Sequence, residues 1–189
     1  MHATTPPLPG RTCDGCALCC NLLKIGALDK PAGIWCRHCS TRRRCDIYEQ
    51  RPSPCVTFHC GYLTWRQVGN EWRPKDCNIV LLTELEGRRI CARVDGSQPD
   101  AWRREPYHST LRKWAAEVGP HGVQVIVSVE DRVFVILPER DVDLGVVADD
   151  EHIVTAVRQT PDGPRYDALK LKGDDPRVRR IVGGAAEGV

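Results

Sequence analysis

The chain has 189 residues, is 41% hydrophobic and 6% aromatic, and carries a formal net charge of +2. That allows one domain of good size or two small ones, with an ordinary core but not a large one. So small a charge does not by itself imply a polyanionic partner, and no apolar run approaches the roughly 18 residues that a membrane span needs.

Charge and cysteine are unevenly spread. Residues 1–77 hold 11 Lys/Arg against 6 Asp/Glu, whereas residues 78–189 hold 16 against 19. The basic surplus suits local compensation of thiolates, because a zinc ion on four cysteines carries a charge of about −2 and nearby cations lower thiol pKa values. Nucleic-acid binding is the less favoured reading, with Arg42-Arg43-Arg44 as its one sharp support. Of the 11 cysteines, 9 lie between Cys13 and Cys60, and this stretch organises the chain.

Residues 1–12 contain Pro6, Pro7, Pro9 and Gly10 and read as a flexible or extended tail. No apolar leader follows Met1, so the expected location is cytoplasmic, where thiols stay reduced. An odd number of cysteines also fits a closed disulfide framework poorly. Cys13, Cys16, Cys19 and Cys20 come next. On a helix Cys13, Cys16 and Cys20 share one face; in a loop a C-x-x-C pair makes a knuckle that points two sulfurs at one metal, and Gly15 supports that tighter turn. Residues 21–25 give a short apolar element and residues 28–33 a loop.

Cys36 and Cys39 form a second C-x-x-C knuckle. With Cys13 and Cys16 they make C-x₂-C-x₁₉-C-x₂-C, within the spacing of a four-cysteine zinc site. Cys19, Cys20, Cys45, Cys55 and Cys60, with His38 and His59, are left to supply a second site. The run Cys13, Cys16, Cys19 also imitates the opening of a bacterial ferredoxin loop, without the Cys-Pro that usually closes it.

From Cys45 to Cys60 the non-cysteine residues become informative. Pro52 fixes φ and pushes Arg51 towards an extended conformation, so the chain turns there. Glu49 and Arg51 read as an ion pair, or Arg51 as a donor to thiolate sulfur. Tyr48 and Phe58 read as core. The string Cys13, Cys16, Cys19, Cys20, then Cys36 or Cys39, Cys45, Ile47, Tyr48, Glu49, Arg51, Pro52, Cys55, Phe58 and Cys60 resembles the CxxCxxCC (YkgJ-like) family of zinc- or iron-chelating proteins. The resemblance covers about residues 13–65 and implies metal chelation by these cysteines. A similar cysteine set in flagellin lysine N-methylases is associated with an iron–sulfur cluster, which makes [4Fe-4S] the implied alternative to zinc.

Residues 61–65, with Tyr62 and Trp65, and Trp72 are expected to shield the metal site from water, or else to expose an aromatic surface to a partner. Cys77 is a late ligand or a buried thiol, with the buried thiol favoured. Beyond it, residues 78–82 and 89–94 read as strands around Glu86-Gly87, and residues 106–118 as a helix through Leu111, Trp114, Ala115 and Val118. Residues 123–129 and 132–137 flank Glu130-Asp131 as the clearest hairpin. Residues 141–145 read as a loop, 153–157 and 167–172 as strands, and 173–189 as a frayed tail. Cys91 reads as packing. His108 and Ser109 read as polar caps near a helix start, and no nucleophile–base pair is legible, so enzyme activity is not assigned.

The expected fold is therefore α+β. A small irregular Cys-rich metal-binding module over residues 13–77 packs on an antiparallel-sheet portion with one main helix over residues 78–172. The expected function is zinc or iron chelation that stabilises the module and supports binding of a protein partner. The alternatives are an iron–sulfur redox or accessory protein, and a protein that stores or transfers metal.

Overall fold

The computed structural model describes residues 5–41 and 44–178. Runs of consecutive apolar residues organise the second half into strands that are buried on both faces, because successive residues of a strand face opposite sides. β1 (Ile79–Glu84), β2 (Arg89–Val94), β3 (Gln124–Val129), β4 (Arg132–Ile136) and β5 (Asp141–Val146) form one sheet in that order. The pairings are antiparallel except β2 with β3, which is parallel. A parallel pair needs a crossover, and the helix over Tyr107–Val118 lies in that connection. The α+β class is as expected, with a sheet that is mixed at one pairing.

Register separates the two faces. Leu81, Ala92, Val127 and Phe134 are consecutive partners across β1 to β4. They bury against Leu111, Trp114 and Ala115 of the helix. The next row, Leu82, Cys91, Ile126, Val135 and Val142, faces the other way. Cys91, Ile126 and Val135 of this row are covered by Ala168 and Tyr166 of a long hairpin, β6 (Glu151–Thr160) and β7 (Gly163–Lys172). Val80, on the same face, packs instead under residues 18–63. One sheet face is thus shared by the hairpin and the Cys-rich module.

The expected loop over residues 141–145 is a strand. Asp141 and Asp143 masked it, because acidic residues are depleted in strands. Their charges are met here. Asp141 accepts from His108 at 2.9 Å and Arg112 at 3.3 Å, and Asp143 pairs with Arg132 at 2.5 Å. A register shift at Val133/Phe134, with Gly145 at φ +65°, accommodates the strand's end.

The first half has little regular structure. Its helices are single turns: α1 (Cys19–Leu22), α2 (Ser53–Thr57), α3 (Gly61–Thr64) and α4 (Pro74–Cys77), with Tyr107–Val118 as α5. Helices so short leave nearly every end group without an intrahelical partner and are not stable alone. Tertiary ties hold them. Leu8 N–H donates to the Leu63 carbonyl at 2.7 Å, and Arg11 reaches the Tyr62, Trp65 and Val68 carbonyls. The opening segment is therefore fastened along the underside of α3. Gly61 permits the close approach of α3 to β1, since a Cβ there would lie 2.8 Å from Leu81 Cβ and from the Trp65 ring. The expected tail residues 1–4 and 179–189, and Arg42 and Arg43 of the basic run, lie outside the described residues.

Candidate metal centre

The site is assembled from two knuckles, three helical turns and a loop. Cys16 N–H donates to the Cys13 carbonyl at 2.9 Å, and Gly15 at φ +65° closes the turn in a conformation that favours glycine. The knuckle reading of this stretch therefore holds, not the one-face helix. Arg73 ties the turn to the second half by donating to the Asp14 carbonyl at 2.8 Å. α1 then presents Cys19 and Cys20. The second knuckle repeats the first, with Cys39 N–H on the Cys36 carbonyl at 3.0 Å. It is fastened to α1 by Cys36 N–H on the Cys20 carbonyl at 2.9 Å. Asp46 closes the following loop: its N–H donates to the His38 carbonyl at 2.8 Å, and its carboxylate accepts from Ser40 N–H at 3.0 Å. That closure delivers Cys45. α2 carries Cys55, with Pro54 in its first turn where a missing N–H costs nothing. Cys60 caps the start of α3.

Cys13, Cys16, Cys19, Cys20, Cys36, Cys45, Cys55 and Cys60 line one cavity of about 1070 Å³, with Leu63 and Val80 among its apolar wall. Cys39, the ninth candidate ligand, is hydrogen-bonded to Cys20. All 11 cysteines are free thiols. Among the described residues, no group of three or more His, Cys, Asp or Glu side chains is arranged to hold a metal ion. The sulfurs surround a space rather than meet at a point.

Their electrostatics centre on Cys20. The hydrogen bond with Cys19 is the largest influence that brings it down to about 7; Cys39, Lys30 and Arg51 act in the same direction, against burial. Cys19 is raised in turn, first by that shared bond and then by burial. Burial is the leading cause that raises Cys13, Cys45 and Cys55, and it pushes Cys39 and Cys60 up to about 11. Desolvation disfavours the charged form of any lone thiol here.

Lys24, Arg44 and Arg51 line the cavity, and Lys30 lies close enough to act on its thiols. Lys30 is buried, with Nζ donating to the Asn21 carbonyl at 2.6 Å and the Leu23 carbonyl at 2.5 Å. Burial lowers its pKa, while Cys36, Cys20, Cys19 and Cys55 oppose that shift. Arg51 donates to the Tyr48 carbonyl at 2.8 Å and lies over the Tyr48 ring at 3.6 Å. Its charge favours the thiolate forms of Cys13, Cys20, Cys45 and Cys55. In sequence, a lysine flanked by Asp29 and Pro31 carries no mark of burial.

Several expectations change. Tyr48 is 48% exposed, so it is a platform for Arg51 rather than core. Arg51 is engaged by this ring and by the Tyr48 carbonyl, not by Glu49. Trp65 and Trp72 do not shield the cysteines. They pack with Trp114 of α5, at ring separations of 5.9 Å and 5.5 Å, on the opposite sheet face. His38 lines the cavity, whereas the His59 ring meets the Thr5 carbonyl at 2.9 Å outside it. Cys77 is a buried thiol, donating to the Ile79 carbonyl at 3.4 Å, and Cys91 is fully buried in β2; burial pushes both up to about 12. His108 does not cap a helix but bonds Asp141, a partner 33 residues away that only the sheet supplies.

No protein-family model matches the chain, and no curated protein or solved structure matches it. Among the described residues no helix is long and apolar enough to cross a membrane.

Proposed function

We propose that this chain chelates zinc or iron through Cys13, Cys16, Cys19, Cys20, Cys36, Cys39, Cys45, Cys55 and Cys60, and that the bound metal ties together the single helical turns of its first half. The carrying observation is that eight of these cysteines, from separate turns and helices, line one cavity, where Lys30 and Arg51 favour the thiolate form of Cys20. Thiolate is the form that binds metal, so burial that disfavours a lone thiolate is offset once a cation sits among several of them. The donor set suits a soft or borderline metal. A closed zinc site supplies folding free energy and no redox chemistry.

The resemblance to the CxxCxxCC (YkgJ-like) family points the same way, and the paired knuckles favour zinc. The run Cys13, Cys16, Cys19, which imitates the opening of a ferredoxin loop, keeps [4Fe-4S] as the alternative. On either reading the protein works in a reducing compartment, the cytoplasm, and the metal-stabilised module serves a protein partner. Elemental analysis of protein purified without oxygen tests the proposal, together with its absorption spectrum. Stoichiometric zinc in colourless protein is the expected result; iron with a visible band that dithionite bleaches selects the cluster. Metal-free protein that binds neither zinc nor iron on reconstitution sinks the proposal.

A further inference from the structure

Spacing alone groups Cys13 and Cys16 with Cys36 and Cys39 as one four-cysteine site. The fold separates those two knuckles. Cys16 packs with Cys60, Leu18, Leu22, Leu63 and Val80, against the sheet. Cys36 and Cys39 pack with Ala17, Cys20, Leu28 and Trp35, in a different cluster. Backbone bonds divide the same way. The first knuckle is docked through the Asp14 carbonyl on Arg73, at the entrance to α4. The second is docked through Cys36 N–H on the Cys20 carbonyl, and the Asp46 loop that carries Cys45 closes onto its His38 carbonyl.

The electrostatic neighbourhoods follow this division, and the two sides touch where Cys13 also feels Cys20 and where Cys19 shares a hydrogen bond with Cys20. Cys60 feels Cys13 and Cys16. Beyond its immediate neighbour Cys20, Cys19 also feels Cys13 and Cys16. Cys55 feels Cys20, Cys36 and Cys45, and Cys45 feels Cys20 and Cys36.

The geometry points to two thiolate centres: an inner one of Cys13, Cys16, Cys19 and Cys60, seated on the sheet, and an outer one of Cys20, Cys36, Cys39, Cys45 and Cys55, held by the second knuckle and its loop. This rests on the metal-binding reading above. Four thiolates complete a tetrahedral zinc site, so the inner set is closed by its own cysteines and the outer set has one thiol more than a tetrahedral ion takes. The inner centre touches Leu63 and Val80, so its loss loosens the packing of the module on the sheet. The outer centre joins α1, the second knuckle with its loop, and α2.

Zinc is the probe. Metal-free wild-type protein is given one equivalent of zinc, then two, without oxygen, and unprotected thiols are alkylated and mapped by mass spectrometry. The expected result is protection of the four inner thiols by one equivalent and of four of the five outer thiols by the other. Protection of Cys13, Cys16, Cys36 and Cys39 together, or saturation at one zinc, overturns the division while leaving metal binding intact. No protection at any zinc level, with no iron bound either, overturns the underlying reading instead. Paired variants give a second measure. Cys16→Ser/Cys60→Ser and Cys36→Ser/Cys39→Ser each keep half of the wild-type zinc if the centres are separate. Loss of all zinc in either folded variant counts against them.

Discussion

The two halves of this chain use cysteine in opposite ways. In residues 78–172 the core closes without it. Ile79, Val80, Ala92, Trp102 and Leu111 are wholly excluded from solvent, and Cys91 is one more small apolar group among its neighbours. In residues 13–60 the cysteines stand where a core would be, around a cavity, between helices of four or five residues. Strands and a three-turn helix bury enough apolar surface to hold their own shape; single helical turns do not. On the proposed reading, the first half needs a bound metal to draw its sulfurs together, whereas the second half rests on packing.

Metal removal breaks the comparison most sharply. Binding free energy of a structural thiolate site is about 10 kcal/mol or more and counts as folding free energy. A strong chelator is therefore expected to strip amide-exchange protection from residues 13–60 while β1 to β4 keep theirs. Equal loss in both halves, or none in either, contradicts it. Trp72→Ala tests the packed core that α5 forms with the sheet. Its ring is 2% exposed and stacks on Trp114, so truncation costs about 3–5 kcal/mol in denaturant unfolding, with metal content unchanged.

Smaller effects sharpen the contrast. Lys30→Met removes the charged donor on the Asn21 and Leu23 carbonyls. It is expected to cost roughly 1.5–3 kcal/mol, read as faster amide exchange over residues 19–30. Gly61→Ala forces a methyl group towards Leu81 Cβ and the Trp65 ring. It should destabilise by about 1–3 kcal/mol, and a thermal midpoint unmoved by the change speaks against the tight seating of α3. Cys91→Ala is the mildest, about 1 kcal/mol, with zinc or iron bound as in wild type. Metal lost from that variant removes the distinction between packing cysteines and ligand cysteines.

Much of this was legible beforehand. The hairpin at Glu130-Asp131, the helix through Leu111 and Trp114, and the burial of Cys77 and Cys91 follow from local pattern, because side-chain period and apolar runs are properties of neighbouring residues. The turn at Gly15 was legible for the same reason. The strand over Asp141–Val146 was not, since its acidic residues need Arg112, Arg132 and His108, all remote in sequence, before they fit a sheet. Nor was the place of Trp65 and Trp72. An aromatic next to a cysteine run looks like its cover, and only the path of α3 and α4 over the edge of β1 turns both rings to α5.

The order of residues alone determined the two knuckles, the apolar runs of the strands and the concentration of thiols in one third of the chain, because each is set by residues close together in sequence. Tertiary structure decided which sulfurs are neighbours. Cys16 meets Cys60 and Cys36 meets Cys20 through packing on β1 and on α1, and no count of intervening residues encodes that. Distance along a chain bounds what two groups can reach; burial against a third surface chooses among the pairings that remain.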